Sequence, residues 1–325
     1  MATSTIVKRE NCLKYLRPAR LEKHWMAVPM TDHNLFHAGE LEMQQLAGVQ
    51  AIAARTGNLI EGLVPSRAMD FIRQQTVAWI GIDDGEGLPW AFPLFGPPGF
   101  INPNTGELLE IELNEHFPIP DRWLVNLQKG KAIACLLIEL STRRRLRING
   151  TIREINDHRL QVEVRQAYPN CPKYIRRREL LENPAYCKFH FKSQGQVINE
   201  QLEKLIKQSD TAFVASLGPN GADVSHRGGP RGFIKCQPPG KITVPDYQGN
   251  NMFNTLGNFK ANPFGGLVIV DFNQGCFLQL SGDIEIIFDQ QNPDIATGGT
   301  HRLWELAITK WQLFQLETDT QWKSL

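Results

Sequence analysis

Asp223-Val224-Ser225-His226-Arg227-Gly228-Gly229-Pro230-Arg231-Gly232-Phe233-Ile234 closes on a triplet that the chain has already used once, as Gly99-Phe100-Ile101. The echo is part of a series. Thr76-Val77-Ala78 returns as Thr211-Ala212-Phe213, and Gly150-Thr151-Ile152 as Gly282-Asp283-Ile284, so three anchors recur in one order at offsets of 135, 133 and 132 residues. Between the last two anchors, DRWLVNLQKGKAIACLLIEL (121–140) parallels NMFNTLGNFKANPFGGLVIVDF (251–272): a polar helix-like stretch, a turn, then an apolar strand. Self-similarity at a fixed offset is the mark of one structural unit used twice.

The text around these anchors reads as β structure. VAWIGI (77–82), GELLEIEL (106–113), AIACLLIEL (132–140) and RLRINGTIREI (145–155) are short runs rich in apolar or β-branched residues, and Pro/Gly turns at Pro65, Gly85 to Pro89 and Gly96 to Gly99 separate the early ones. The expected fold is therefore mainly β with flanking helices: an N-terminal helical extension over 1–65, a first barrel over 66–190 and a second over 191–325, with a single large barrel as the other reading. From Phe36 to Arg55, Leu41, Met43, Leu46, Val49, Ile52 and Ala53 recur mostly at helical spacing and predict one amphipathic helix. The basic stretch from Tyr174 to Leu181, with Arg176-Arg177-Arg178, reads as a surface helix.

Bulk properties bound the function. A chain of 325 residues can build two cores, and 42% hydrophobic with 21% charged residues is an ordinary globular balance. A net charge of +1 provides no global field for nucleic acid or membrane, so any anion site has to be local. Charges interrupt the N-terminal stretch and no apolar run reaches the length of a membrane span, which leads us to expect a cytoplasmic protein without a membrane partner. Six scattered cysteines fit reduced thiols, and Cys171, between two prolines in YPNCPKYI, reads as a buried structural thiol. Only Cys187 and His190 approach metal-ligand spacing, without two further ligands at a recognisable interval, and no metal is expected.

Three segments could carry chemistry. Asp223 to Phe233 crowds Ser225, His226, Arg227 and Gly228 into one stretch, where guanidinium forks, a hydroxyl and close backbone approach could cradle a phosphate; a tight turn with solvated arginines is the other reading. In a strand, Arg143, Arg145, Arg147 and Asn149 share one face and Leu146 and Ile148 the other, giving an anion site, a solvated charged face or a weak nucleic-acid patch. Asn250, Asn251 and Asn258 lie in an amide-rich segment that could equally be turn chemistry. The halves are unequal: aligned with a one-residue gap, Ala91 opposes Ser225 and Pro93 opposes Arg227, while Gly275 to Gly282 lacks the arginines of 143–147.

Together FHAGE (36–40), GPPGFI (96–101), TRRRLRING (142–150), YPNCPKYI (168–175), DVSHRGGPRGF (223–233) and VPDYQGNNMFNTLGN (244–258) resemble the FMN-binding split-barrel family related to pyridoxamine 5′-phosphate oxidase, in its tandem branch. The resemblance spans nearly the whole chain and implies two split barrels packed as an intramolecular pseudo-dimer, with FMN between them. It places Ser225, His226, Arg227 and Gly228 near the phosphate or ribityl chain, Asn250, Asn251 and Asn258 nearby, and Arg145, Arg147 and Asn149 from the other half. It implies an FMN-dependent oxidoreductase acting on a small molecule or redox partner, with a ferredoxin-reductase-type electron donor and a homodimer as compatible partners. A carrier of FMN or haem that works with a separate reductase is the alternative. No catalytic residue is assigned, although His226 alone has an ordinary pKa suited to proton transfer near neutrality. Loss of the Ser and Arg positions from the first copy predicts one strong FMN site per chain.

Overall fold

In the computed structural model, the structure describes residues 35–113, 127–156, 158–180, 188–237, 239–317 and 322–325. Two large sheets dominate. The first is built from β1 (Val77–Asp83), β2 (Pro89–Phe95), β3 (Ile101–Thr105), β4 (Leu108–Glu112), β5 (Ala132–Glu139), β6 (Arg144–Asn156) and β7 (Arg159–Pro169). Two strands follow, the three-residue β8 (Arg178–Leu180) and the eight-residue β9 (Lys188–Gly195), which joins the second sheet. The second sheet comprises β10 (Thr211–Gly218), β11 (Gly221–Gly228), β12 (Lys235–Gln237), β13 (Lys241–Pro245), β14 (Phe264–Asp271), β15 (Cys276–Ile287) and β16 (Leu303–Glu317); β17 (Trp322–Ser324) pairs with β8.

The strand order is β2-β1-β5-β6-β7-β4-β3 in the first sheet and β11-β10-β14-β15-β16-β13-β12 in the second, the same path taken twice. The fold is the expected pair of split barrels, mainly β. The repeated glycines have repeated jobs. Gly99 and Gly232 both sit at left-handed φ (95° and 77°) in the turn after the second strand of their sheet. Gly150 and Gly282 both lie at β-bulges where a Cβ would run into a carbonyl of the neighbouring strand, that of Glu163 and that of Ala307 respectively.

Period-two alternation gives each strand two destinations. Ala78, Ile80 and Ile82 of β1 enter the first barrel's core with Leu146 and Ile148 of β6, and Ala212 and Val214 of β10 enter the second barrel's core. Val77, Trp79 and Leu136 from one half and Phe213, Ala215 and Val268 from the other form a third core between the barrels. Burial on both faces explains why these strands read as unbroken apolar runs. At the centre Trp79 stacks on Phe213, ring centroids 3.4 Å apart and 11° from parallel.

Several expectations need correction. The helix expected over 36–55 is two helices, α1 (Ala38–Leu46) and α2 (Gln50–Gly57), interrupted around Gly48. Of its apolar stripe, Met43 and Ala53 are buried whereas Leu41, Leu46 and Ile52 are exposed, because α1 packs its Gly39-Glu40-Met43-Gln44 face inward. Arg176 to Arg178 is not helical: Ile175 is drawn into the inter-barrel core and Arg178 opens β8, with Arg176 and Arg177 extended between them. The boundary drawn after residue 190 falls inside β9, which pairs with β16 of the second sheet. The gap introduced into the repeat is unnecessary. The bulge glycines and strand pairings match Trp79 with Phe213, and their partners Pro93 and His226 then correspond. Phe92 and Leu94, not Ala91 and Pro93, therefore stand where Ser225 and Arg227 do. The polar asymmetry between halves survives. Residues 1–34, Cys187 and most of the helix-like segment from 121 lie outside the described residues.

Three short helices complete the positioning of the site: α3 (Met69–Arg73), α4 (Glu200–Gln208), capped by Asn199 accepting from Leu202 N at 2.9 Å, and α5 (Asn254–Ala261). No described helix is long and apolar enough to cross a membrane. Trp79→Ala is expected to cost about 3–5 kcal/mol, the usual range for emptying a buried tryptophan site. Chemical denaturation would measure it, with Leu46→Ala on the exposed side of α1 as a control near zero.

Candidate functional site

Two strand faces and one helix end meet at the junction of the barrels. On β6, Arg145, Arg147 and Asn149 share a face, as the sequence pattern predicts. On β11, Asp223, Ser225 and Arg227 share a face, since they pair opposite Ser216, Val214 and Ala212. The two faces are joined by Arg147 Nη1 and Asp223 Oδ1, 2.9 Å apart with side chains only 7% and 3% exposed. Asn149 Nδ2 donates to the same carboxylate at 3.4 Å and to Gln166 Oε1 at 3.1 Å.

Beside this junction lies a cavity of about 80 Å³, enough for several waters. Arg145 and Arg147 of β6, Asn170 and Cys171 beyond β7, and Ser225, His226 and Arg227 of β11 line one side. The loop from Asp246 to Phe253, the first residues of α5 and Arg302 line the other. The first turn of α5 therefore offers the positive end of a helix to the cavity.

Seven of the ten residues expected at the site are brought together: Arg145, Arg147, Ser225, His226, Arg227, Asn250 and Asn251. Asn149 lies beneath, tied to Asp223 and Gln166. Asn258 points the other way and fastens α1 to α5, its Oδ1 accepting from His37 Nε2 at 2.9 Å and its Nδ2 donating to Ser216 Oγ at 3.0 Å. Gly228 does not line the cavity; a Cβ there would run into Tyr174 O. Cys171 is half-buried at the cavity instead of sealed in the core, and its carbonyl accepts from Arg145 Nη2 at 2.5 Å. Asp246, Tyr247, Asn254, Thr255, Asn170 and Arg302 were not expected. Asp246 and Tyr247 sat in the quoted VPDYQGN segment, but Arg302 lies in a stretch with no repeat partner among the anchors.

The electrostatics are unbalanced. Asp246 takes Arg227 Nη1 at 3.3 Å on one oxygen and Arg302 Nε at 3.2 Å on the other. Four guanidiniums, of Arg145, Arg147, Arg227 and Arg302, thus face two carboxylates, of Asp223 and Asp246, an excess of two positive charges. Burial, then the neighbouring arginines, push Arg145 down to about 10 and also lower Arg227. Burial works against the charge of Arg147 too, but Asp223 and Tyr168 outweigh it and raise the pKa. His226, buried against Phe213 and close to Arg145, Arg227 and Arg178, is held well below 6.5, by burial above all, and is neutral. Nε of Arg145, Arg147 and Arg227, Nε2 of His226 and Nδ2 of Asn170 are buried without a partner. Orphaned donors are costly in a finished interior and normal where a ligand supplies acceptors.

A clamp from the N-terminal helix supports the far wall. Asn254 Nδ2 donates to Glu40 Oε1 at 2.6 Å while its Oδ1 accepts from Arg147 Nη1 at 3.4 Å, and Gln44 Nε2 donates to Met252 O at 3.0 Å. Burial raises the Glu40 carboxyl from 4.5 to about 7, so it gains its charge near neutrality.

No family model matches the chain, and no curated protein does. Among solved structures it is similar to HupZ from Group A Streptococcus (14% identity, TM-score 0.28), over 34% of this chain and 89% of that one. It is also similar to a candidate pyridoxamine 5′-phosphate oxidase from Lactobacillus delbrueckii (12%, TM-score 0.30; 36% and 94%). A third is the FAD and haem binding protein from Mycobacterium smegmatis (11%, TM-score 0.26; 41% and 84%).

The clamp yields a pH prediction. A carboxyl whose folded pKa is raised contributes stability that is fully present below its unfolded value and lost as pH rises through the folded one. Wild type is thus expected to lose stability relative to Glu40→Gln as pH rises from about 4.5 to about 7. His226, lowered by burial, gives the opposite slope in each protein and cancels from the difference; His37, also lowered by burial, stands 3.6 Å from Glu40 Oε2, so the comparison is made with His37 replaced by Gln in both proteins. Paired denaturation curves across that window check the sign.

Proposed function

We propose that the chain is a flavoprotein that binds one FMN per polypeptide, with the phosphate at this cavity, and serves as an oxidoreductase. The observation that carries the reading is the excess of two positive charges beside buried donors without partners. A phosphate monoester brings close to two negative charges and three strong acceptor oxygens near neutral pH, the complement of that deficit.

Arg145, Arg227, Arg302 and Ser225, with the first turn of α5, would hold the phosphate. Asn170, Asn250 and Asn251 would supply amides to the polar parts of the ribityl chain and ring. When bound, the flavin supplies electron or hydride transfer; the chain supplies binding, orientation and electrostatic tuning. His226 stays neutral among arginines and keeps its Nε2 available within the cavity wall. One site per chain follows from the apolar Phe92 and Leu94 at the equivalent positions of the first barrel.

The carrier reading differs in what reduces the flavin. Bleaching of the flavin spectrum by a small-molecule substrate alone supports the enzyme; bleaching only with an added reductase supports the carrier; a haem band in the isolated protein overturns the FMN assignment. Arg227→Ala is expected to weaken FMN binding about tenfold to a hundredfold by removing charge-assisted bonds of about 1.5–3 kcal/mol, while riboflavin, lacking the phosphate, responds little. Fluorescence titration of both ligands tests this, and an unchanged FMN dissociation constant removes Arg227 from the site.

A further inference from the structure

A second hollow adjoins the first and is absorbed by none of the roles above. A volume of about 630 Å³ lies between the segment from Pro172 to Arg178, the turn from Gly229 to Arg231, Asp210 and the last two residues, Ser324 and Leu325, whose carboxylate is the second acidic group beside Asp210. Six cations line it: Arg143, Lys173, Arg176, Arg177, Arg178 and Arg231. Arg178 is committed to the fold, since it forks onto both oxygens of Asp210 at 2.7 and 2.6 Å and lies over the Phe272 ring. The other five are exposed, and among the described residues none has a carboxylate partner. Two are aimed by the backbone: Arg176 Nε donates to Gly229 O at 3.2 Å and Arg177 Nε to Ser141 O at 2.7 Å, which fixes each guanidinium while leaving its outer nitrogens as donors.

Backbone strain marks the same region. Six non-glycine residues among those described have left-handed φ, and four of them line the two hollows: Arg143 and Tyr174 here, Asn251 and Phe253 in the first. Such conformations cost energy and persist where the surrounding structure needs them. The partition between the hollows is aromatic, with Tyr174 stacked on Tyr247 at 4.9 Å and 27°.

We infer that this groove binds the anionic groups of a small substrate carrying two or more phosphates or carboxylates, whose uncharged part reaches the cofactor cavity across the Tyr174–Tyr247 pair. This rests on the flavin reading for its purpose but not for its binding. The volume lies within the range of small-molecule sites, about 300–1,000 Å³, and a recessed hollow suits such a ligand better than the broad surface, about 800 Å² per partner, that a protein complex needs.

Titration calorimetry on the full chain, with and without FMN, tests the inference using inorganic pyrophosphate and citrate at constant ionic strength. These arms separate phosphate from carboxylate preference. Lys173→Ala/Arg231→Ala, two exposed positions outside the cofactor cavity, is expected to weaken the preferred anion at least about tenfold and leave FMN affinity unchanged. Arg227→Ala is expected to do the reverse. Binding that survives the double variant, or that disappears in Arg227→Ala, overturns the groove as its location. Absence of saturable binding of either anion overturns the small-molecule assignment. Failure of FMN binding alone leaves the anion titrations readable and sinks only the flavin reading.

Discussion

Arg147 and Asp223 form an ion pair buried between two sheets, and the geometry of the junction depends on it. Taking both charges out of water is costly, and their attraction offsets this only where the remaining donors and acceptors are also met. Tyr168, Asn149 and Asn254 meet part of this demand, drawn from β7, β6 and the start of α5, and leave Arg147 Nε without a partner. A slip of one residue by either strand would turn Arg147 or Asp223 to the wrong face and leave its partner buried alone. The stacked Trp79 and Phe213 supply adhesion between the barrels; the ion pair selects one register from those that adhesion alone would permit.

The same junction occurs a second time without the charges. Gln279 and Ser281 occupy on β15 the places that Arg147 and Asn149 hold on β6, and they donate to Ala91 O and Pro89 O of β2, both at 2.9 Å. Phe92 and Leu94 fill the positions matching Ser225 and Arg227. One junction is closed by side-chain-to-backbone bonds and apolar packing, the other is left polar and open. Division of labour within one chain is available to a fused pair, because each half can change without changing the other.

Much of the architecture was legible because its causes are local in sequence. Bulge glycines, turn glycines and two-sided apolar strands leave marks that survive in both copies, and the period of two placed Arg145, Arg147 and Asn149 on one face. What escaped depends on distant partners. Asn258 carries the residue type of a ligand-binding amide, yet His37, 221 positions away, claims it. Arg176 to Arg178 has helix-compatible composition, but Asp210 and the inter-barrel core pull Arg178 and Ile175 into an extended path. The one-residue gap arose because anchors were matched as words; hydrogen-bonded pairing counts from the bulge and has no such freedom.

The charge excess at the cavity also connects stability to binding. Guanidiniums crowded in a partly buried cleft repel one another: burial is the largest cause of the downward shifts of Arg145 and Arg227, and the charge of Arg147 lowers both further. Asp246 cannot relieve both neighbours fully, since each of its oxygens serves a different arginine. A dianion in the cleft would cancel the repulsion, so its binding free energy adds directly to the folded state. The N-terminal helix enters this balance through Asn254, which touches Glu40 on one side and Arg147 on the other. A carboxyl that gains charge near neutrality therefore sits one side chain from the cationic cluster, where its ionisation would reduce the positive excess that recruits the anion.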